Sequence, residues 1–381
     1  MSSRAMLSVV VSLLGCVALL VLPAQGDDKN SEKQQEAKEL TPKLFTFQGN
    51  DVLLTQALSE LSKQTGNQVE DRRQAKEDVK IKLDLKQVTF WQALDAIAKA
   101  ADARVSLYER DGKIALVEGP HQAIPISYSG LFRTSFKRID TSLILEGDMH
   151  VCIIYLEVAW EPRFRPLFME TKPDSLEIQD DKGRAVEIPE GGRGPAAVGQ
   201  RAATEVQVRV RAPKRSAAQL SLLKGTLAAI GPTKMLTFTF DKLTKIEKRE
   251  EARKETQQGV TVQLRQLRSE GEGDDQVWTI VMLLEYPPDG PKFESFQSWI
   301  VNNEIFLEKE KAGIKVVFPN NFGLNTEDET ESKALIRYQF GDEPDKNKIL
   351  GKFADWKLVY RTPGRISEIP IPFEFKELPL P

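Results

Sequence analysis

The chain has 381 residues, 40% hydrophobic and 29% charged, with 53 Lys and Arg against 56 Asp and Glu. That composition is globular and mildly acidic; it excludes a wholly disordered chain and lacks the concentrated basic face that nucleic acid requires. The length suits two or three domains of ordinary size.

Residues 1–26, MSSRAMLSVVVSLLGCVALLVLPAQG, carry a lone Arg4, an apolar run, Pro23 and small residues at Ala24 and Gly26. This is the layout of a cleavable export signal, with the cut expected between Gly26 and Asp27. Two alternatives attach the chain to a membrane. The apolar run is long enough to span a bilayer if left uncut, and Leu-Leu-Gly-Cys at 13–16 places Cys16 where a lipoprotein signal takes its lipid. The apolar VALLVL after Cys16 argues against lipidation, because a lipoprotein's mature end is usually polar. Removal of residues 1–26 takes away Arg4 and no acid, so the formal charge goes from −3 to −4. Cys152 is then the only cysteine, and the exported chain must rest on apolar cores with no internal disulfide.

Residues 27–43, DDKNSEKQQEAKELTPK, predict a disordered, solvated linker. LFTFQ (44–48) predicts a short strand. In the DVLLTQALSELSKQTGN that follows, Leu54, Ala57, Leu58 and Leu61 line one helical face and Gly66 supplies the stop. VKIKLDLKQVTFWQALDAIAKAAD (79–102) then changes period halfway along. Val79, Ile81, Leu83 and Leu85 alternate with Lys80, Lys82, Asp84 and Lys86, after which the apolar residues fall at helical spacing. Thr89 stands three residues before Gln92, the spacing of a capping box, and Ala93, Leu94, Ile97, Ala98 and Ala101 form the stripe to be buried. RVSLYERDGKIALVEG closes the segment as a hairpin turned at Asp111 and Gly112.

Residues 44–119 therefore read strand, helix, strand, strand, helix, hairpin. With Q-T-G at 64–66, the strand at 79–85, V-T-x-x-x-A-L at 88–94 and D-G at 111–112, this segment resembles the secretin and TonB short N-terminal domain. The resemblance covers about a fifth of the chain. It implies a small α+β domain that docks onto proteins of an envelope secretion system or signalling relay. That family's second strand is usually apolar; NQVEDRRQAKED at the matching place predicts a short one.

Beyond Pro120 the texture changes to short β-rich runs separated by Pro, Gly and Asp. One plan is written twice. A strand ending Leu-Glu-Val (156–158) or Leu-Glu-Tyr (284–286) is followed by a pair turned at Lys182-Gly183 or Ala312-Gly313. A strand with L-L-K-G or I-L-G-K comes next, and F-T-F-D-K-L (238–243) or F-E-F-K-E-L (373–378) ends each copy. Recurrence in one order argues for duplication. The expected fold class is multidomain: the small α+β N-terminal domain, a β-sandwich over 120–245, and a second over 246–381, with immunoglobulin-like packing. LTKIEKREEARKETQQGV (243–260) reads either as a solvated connector or short helix, or as an extension of the preceding strand.

The search for chemistry assigns no catalytic, cofactor-binding or metal-binding residue. His121 and His150 are the only histidines. Asp148, His150 and Cys152 share one strand face by their two-residue spacing, but two ligands and a weak third do not close a zinc site, so Cys152 is expected in a core. EGEGDDQ (270–276) and NTEDETES (325–332) lack the regular calcium loop. GGRGPAAVGQ (191–200) lacks the Gly-Lys-Ser ending of a phosphate loop and reads as an inter-strand loop. FESFQSW (293–299) and Trp91 are the exposed-aromatic candidates. Trp91, at the second helical position, is a partner-surface candidate, although the same place can seal the helix against a sheet.

The functional expectation is an exported, non-enzymatic protein, periplasmic or extracellular in a Gram-negative-type envelope, that needs no cofactor. It binds other envelope proteins through the docking domain and the sandwiches, and meets a membrane only through an uncut signal or a lipidated Cys16. A carbohydrate-binding or surface-adhesion protein is the alternative.

Overall fold

In a computed structural model, the residues described are 40–74, 78–109, 112–146, 149–189, 194–199, 201–271, 276–287, 303–311, 313–320, 323–330, 332–343, 349–364 and 366–381. The architecture is mostly β, in several sheets. The expected cut at 26/27, Cys16, the first part of the 27–43 linker, Asp148 and the 293–299 aromatic run lie outside the described residues. The end of that linker is packed: Leu40 lies against an apolar core, and Thr41 O accepts a hydrogen bond from Arg163 Nη2 at 2.7 Å.

The first elements are β1 (Phe45–Leu53), α1 (Leu54–Thr65), β2 (Val69–Asp71), β3 (Lys80–Val88), α2 (Phe90–Ala100), β4 (Arg104–Ser106) and β5 (Ile114–Val117). Strand β1 runs further than LFTFQ, because a register shift between Gly49 and Val52 absorbs the polar Asn50 and Asp51 and lets pairing with β3 resume. Helix α1 buries Leu54, Ala57, Leu58 and Leu61 and stops at Gly66, which adopts φ 78 and donates its N–H to Ser62 O. Helix α2 starts on the expected capping box, with both the Thr89 and Gln92 side chains bonded to the other's backbone. Strand β2 has three residues, since its segment offers Val69 as its only large apolar side chain, and it pairs in parallel with β5. The sheets β1–β3 and β2–β5–β4 meet both helices in one core, to which Phe45, Ile81 and Leu83 come from the first sheet and Ile114 and Leu116 from the second.

Residues 118–125 lead to the next run of strands, on which the helical layer lies directly. That run is β6 (Ile126–Ser129), β7 (Phe132–Ile144), β8 (Met149–Trp160), β9 (Phe168–Met169), β10 (Ser175–Asp180), β11 (Ala196–Ala197), β12 (Ala203–Arg211), β13 (Gln219–Pro232) and β14 (Met235–Phe240). It is followed by β15 (Arg253–Gln257), β16 (Val260–Glu270), β17 (Val277–Glu285), β18 (Glu304–Lys311), β19 (Ile314–Pro319), β20 (Gly323–Glu329), β21 (Lys333–Gly341), β22 (Lys357–Pro363) and β23 (Ile366–Pro379).

These strands make two sandwich-like sheet pairs built to one plan. The order β12-β8-β7-β6 in the first pair recurs as β21-β17-β16-β15 in the second, where β20 is added outside β21. Opposite them, β13 pairs with β10 in the first and β22 with β18 in the second. The last strand of each copy, however, lies in the other pair. β14 is hydrogen-bonded to β22, with Phe238 opposite Tyr360, and β23 is bonded along the whole of β13, from Gln219 opposite Pro379 to Pro232 opposite Ile366. Leu236, Phe238 and Phe240 accordingly fill the second core, and Ile371, Phe373, Phe375 and Leu378 the first. A boundary at 245/246 thus separates neither sheet pair: the first comprises residues 126–232 with 366–379, and the second residues 235–363.

The charged connector is structured, because it carries two core residues. Leu243 and Ile246 are buried, and Ile246 exchanges two backbone hydrogen bonds with Leu267. The Gly-rich loop contributes β11, paired with β9, and a buried Val198. The exchange also explains the glycine of L-L-K-G. A Cβ on Gly225 would stand 2.7 Å from both the Phe373 ring and Ser175 O, so only glycine lets β23 and β10 flank β13 there. Gly225→Ala is expected to lower the denaturant midpoint of the protein, by the ~1–3 kcal/mol typical of an overpacked core, with the slope unchanged.

Candidate functional site

The surface expected to meet partners is the helical layer, and its α2 face is occupied by the chain itself. Outward-facing positions of β8 and β12 carry the facing pair Ala159 and Ala203, with Ala202 beside them; all three are buried in the helical core. Such small side chains let a helix approach a sheet closely. Trp91, the partner-surface candidate, is 1% exposed; its ring packs edge-on against Phe90, and its Nε1 donates to Leu131 O at 2.9 Å. It is therefore an internal seal, because at the start of α2 its indole falls on the side facing the first sheet pair.

Two polar groups pin this joint. Asp95 Oδ2 accepts from Arg133 Nε at 2.8 Å and from Tyr128 OH at 2.7 Å, while Arg133 Nη1 donates to Ser135 Oγ at 2.7 Å. The second is centred on Glu161, wholly buried at the end of β8. Its Oε2 accepts from Asn67 Nδ2 at 2.8 Å and Arg163 Nε at 2.6 Å, and Asn67 Oδ1 in turn accepts from Arg163 N at 3.1 Å. The loop after α1 is thereby bonded to the loop after β8. None of these residues was legible as a site: Asn67, Asp95, Arg133 and Glu161 stand far apart in sequence, and each reads locally as an ordinary surface polar residue.

Burial pushes the Glu161 carboxyl above the usual carboxylate range, against the hydrogen bonds from Arg163 and Asn67 and the charges of Arg163 and Lys43. An acid whose pKa is higher folded than unfolded gives up its proton first in the unfolded chain, so this burden is absent below the unfolded pKa, grows as pH rises from there towards the elevated folded value, and is complete above it. As pH rises above about 4, the ordinary carboxylate range, the Tm of the wild type should fall relative to that of Glu161→Gln. A wild-type Tm that stays level with, or rises relative to, that of the variant over this range in differential scanning calorimetry would contradict that sign.

The remaining chemistry candidates are not assembled. Cys152 is a buried free thiol in the first core, its pKa pushed up to about 11 by burial and, secondarily, by Asp140. It should resist iodoacetamide in the native protein and label fully in denaturant. His150 lies exposed at the start of β8. Among the described residues no group of three His, Cys, Asp or Glu side chains is placed to hold a metal ion, and no helix is long and apolar enough to cross a membrane. The acidic stretches 270–276 and 325–332 lie partly outside the described residues.

What the helical layer leaves open is its other side. β1 and β3 pair only with each other, so each has an edge without a strand partner among the described residues. Lys80, Lys82 and Lys86 stand exposed along β3, and Asp84 among them accepts from Gln48 of β1. Thr55, Gln56, Ser59 and Lys63 form the exposed face of α1 beside this ribbon. The result is a solvated, cationic ribbon without a flanking strand among the described residues, although on β1 the Thr46 N–H and O are bonded by the Gln64 side chain at 3.0 and 3.2 Å. No family model, no curated protein and no solved structure matches the chain.

Proposed function

We propose that the chain is an exported, non-enzymatic protein of a Gram-negative-type cell envelope that binds other envelope proteins, with residues 44–119 as its docking unit. The observation that carries this reading is the division of that unit into two faces. One face is spent on the first sheet pair through Trp91, Asp95 and Asn67, while the β3 side of the β1–β3 ribbon has no strand partner among the described residues, the form in which a sheet accepts a partner's strand. The order strand, helix, strand, strand, helix, hairpin supports the resemblance to the secretin and TonB short N-terminal domain, whose members dock envelope proteins. The role of the first sheet pair in this reading is that of a rigid mount, since the docking unit shares its core with it through Ala159, Ala202 and Ala203.

The experiment is cross-linking in cells with a photoreactive residue at Lys82, followed by fractionation and N-terminal sequencing. The expected result is a mature chain beginning at Asp27, in the envelope fraction, cross-linked to defined proteins. Replacing both Lys80 and Lys82 with Glu should reduce that yield about tenfold. A chain that keeps Met1 in the cytosol, or one that cross-links to no protein, would refute the proposal.

A further inference from the structure

Two buried carboxylates join the helical layer to the first sheet pair, and their settings differ. Asp95 is 8% exposed, and its Oδ2 takes two donors, Arg133 Nε and Tyr128 OH. Glu161 is 0% exposed; its Oε2 accepts from Asn67 and Arg163, but its Oε1 has no hydrogen-bond partner among the described residues. An ionised oxygen shut away from water without a donor carries a desolvation cost that a neutral carboxyl largely escapes. Forming the carboxylate therefore works against closure at this one place.

Several stretches of chain meet at Glu161. Its own connection after β8 supplies Arg163, and the loop after α1 supplies Asn67. The lead-in to β1 supplies Thr41, whose carbonyl accepts from Arg163 Nη2, and Lys43, whose Nζ stands 3.4 Å from the place a Cβ on Gly66 would take. The turn between β6 and β7 supplies backbone alone, Leu131 O accepting from Glu161 N at 2.9 Å. The charged groups facing the carboxyl are thus Arg163 and Lys43, since Gly66, Asn67 and Gln68 of the loop and Gly130 and Leu131 of the turn carry no charge. Burial is the largest influence on the carboxyl and outweighs both cations, so its proton is held more firmly than on an ordinary carboxyl.

The rest of the joint is independent of this group. Trp91 Nε1 has its own bond to Leu131 O, Asp95 has its bonds to Arg133 and Tyr128, and Ala159, Ala202 and Ala203 pack in the helical core. An opening at Glu161 can therefore be confined to the lead-in and the loop. We propose that Glu161 is a pH-operated latch: with its carboxyl neutral, the lead-in to β1 and the loop after α1 are closed onto the first sheet pair, and with the carboxylate formed they open locally while α2 stays docked. On opening, the proton passes to solvent and water hydrates the carboxylate; in acid the proton returns and the latch closes. Residues 40–44 run directly into β1, so the latch sets how firmly the first strand of the ribbon is anchored.

Hydrogen exchange of the full chain, followed by mass spectrometry and corrected for the intrinsic rate at each pH, reads the latch directly. As pH rises from about 4 to neutrality, wild-type protection over residues 40–46, 66–69 and 161–165 should fall at least about threefold relative to protection over α2. Glu161→Gln, an uncharged isostere, should hold that ratio level. Asn67→Ala unhooks the loop from the carboxyl, so at about pH 4 it should already exchange over these residues as fast as the wild type does at neutrality. This second variant decides the matter if Glu161→Gln does not fold. A wild type without the fall, a fall equally deep over α2, or an equal fall in Glu161→Gln overturns the proposal. So does an Asn67→Ala chain that exchanges as slowly in acid as the wild type.

Discussion

Deleting residues 366–381 will unfold the first sheet pair and spare the second, although those residues follow the second in sequence. The deletion removes Ile371, Phe373, Phe375 and Leu378, all 3% exposed or less, from a core otherwise made by residues 131–229. At about 1.5–3 kcal/mol for each buried large apolar side chain, the loss is comparable to the whole stability of a domain, about 5–15 kcal/mol. It also strips β13 of its longest partner and exposes a row of unpaired backbone groups. Hydrogen exchange followed by mass spectrometry should show protection lost over β6 to β13 and retained over β15 to β22. Loss confined to residues 253–363 would show that the last strands are not exchanged. Phe373→Ala is the milder form of the same experiment, with about 3–5 kcal/mol expected and the same region affected.

Trp91→Ala should be the most damaging single substitution in the helical layer, at about 3–5 kcal/mol. The indole is one of the largest wholly buried side chains, and its removal opens a cavity at the joint and leaves Leu131 O with Glu161 N–H as its remaining donor. Trp91→Phe keeps most of the packing and loses the hydrogen bond, so it should cost about 1 kcal/mol. Urea titration monitored by circular dichroism measures both. Binding lost by Trp91→Ala with stability unchanged would instead make this residue a contact for partners.

Local signals carried far in the helical layer. The capping box at Thr89, the stop at Gly66 and the alternating Ile81 and Leu83 each act within a few residues, and each appears where the pattern placed it. The exchange of last strands was not legible for a physical reason. Phe238 and Phe240 in β14, and Phe373 and Phe375 in β23, present the same inward alternation, so either strand has the side chains to complete either sheet. The choice depends on where the chain leads before and after, which no short window contains. Trp91 was ambiguous for a related reason: its environment is set by Leu131, forty residues away. The Glu161 group was invisible because its parts, Asn67 and Arg163, meet only once two folded layers are in contact.

The strand exchange also orders events during synthesis. A chain emerging from its N-terminus makes β13 long before β23, so the first core stays open until the last residues are free, and it cannot be finished while synthesis is under way. In that interval β14 follows β13 at once and has the same F-x-F alternation. Quick local closure of β14 onto β13 therefore competes with the slow arrival of β23, and the native arrangement is the one with the longer loop to close. Refolding of the intact protein should accordingly begin with a wrongly closed first half that must reopen.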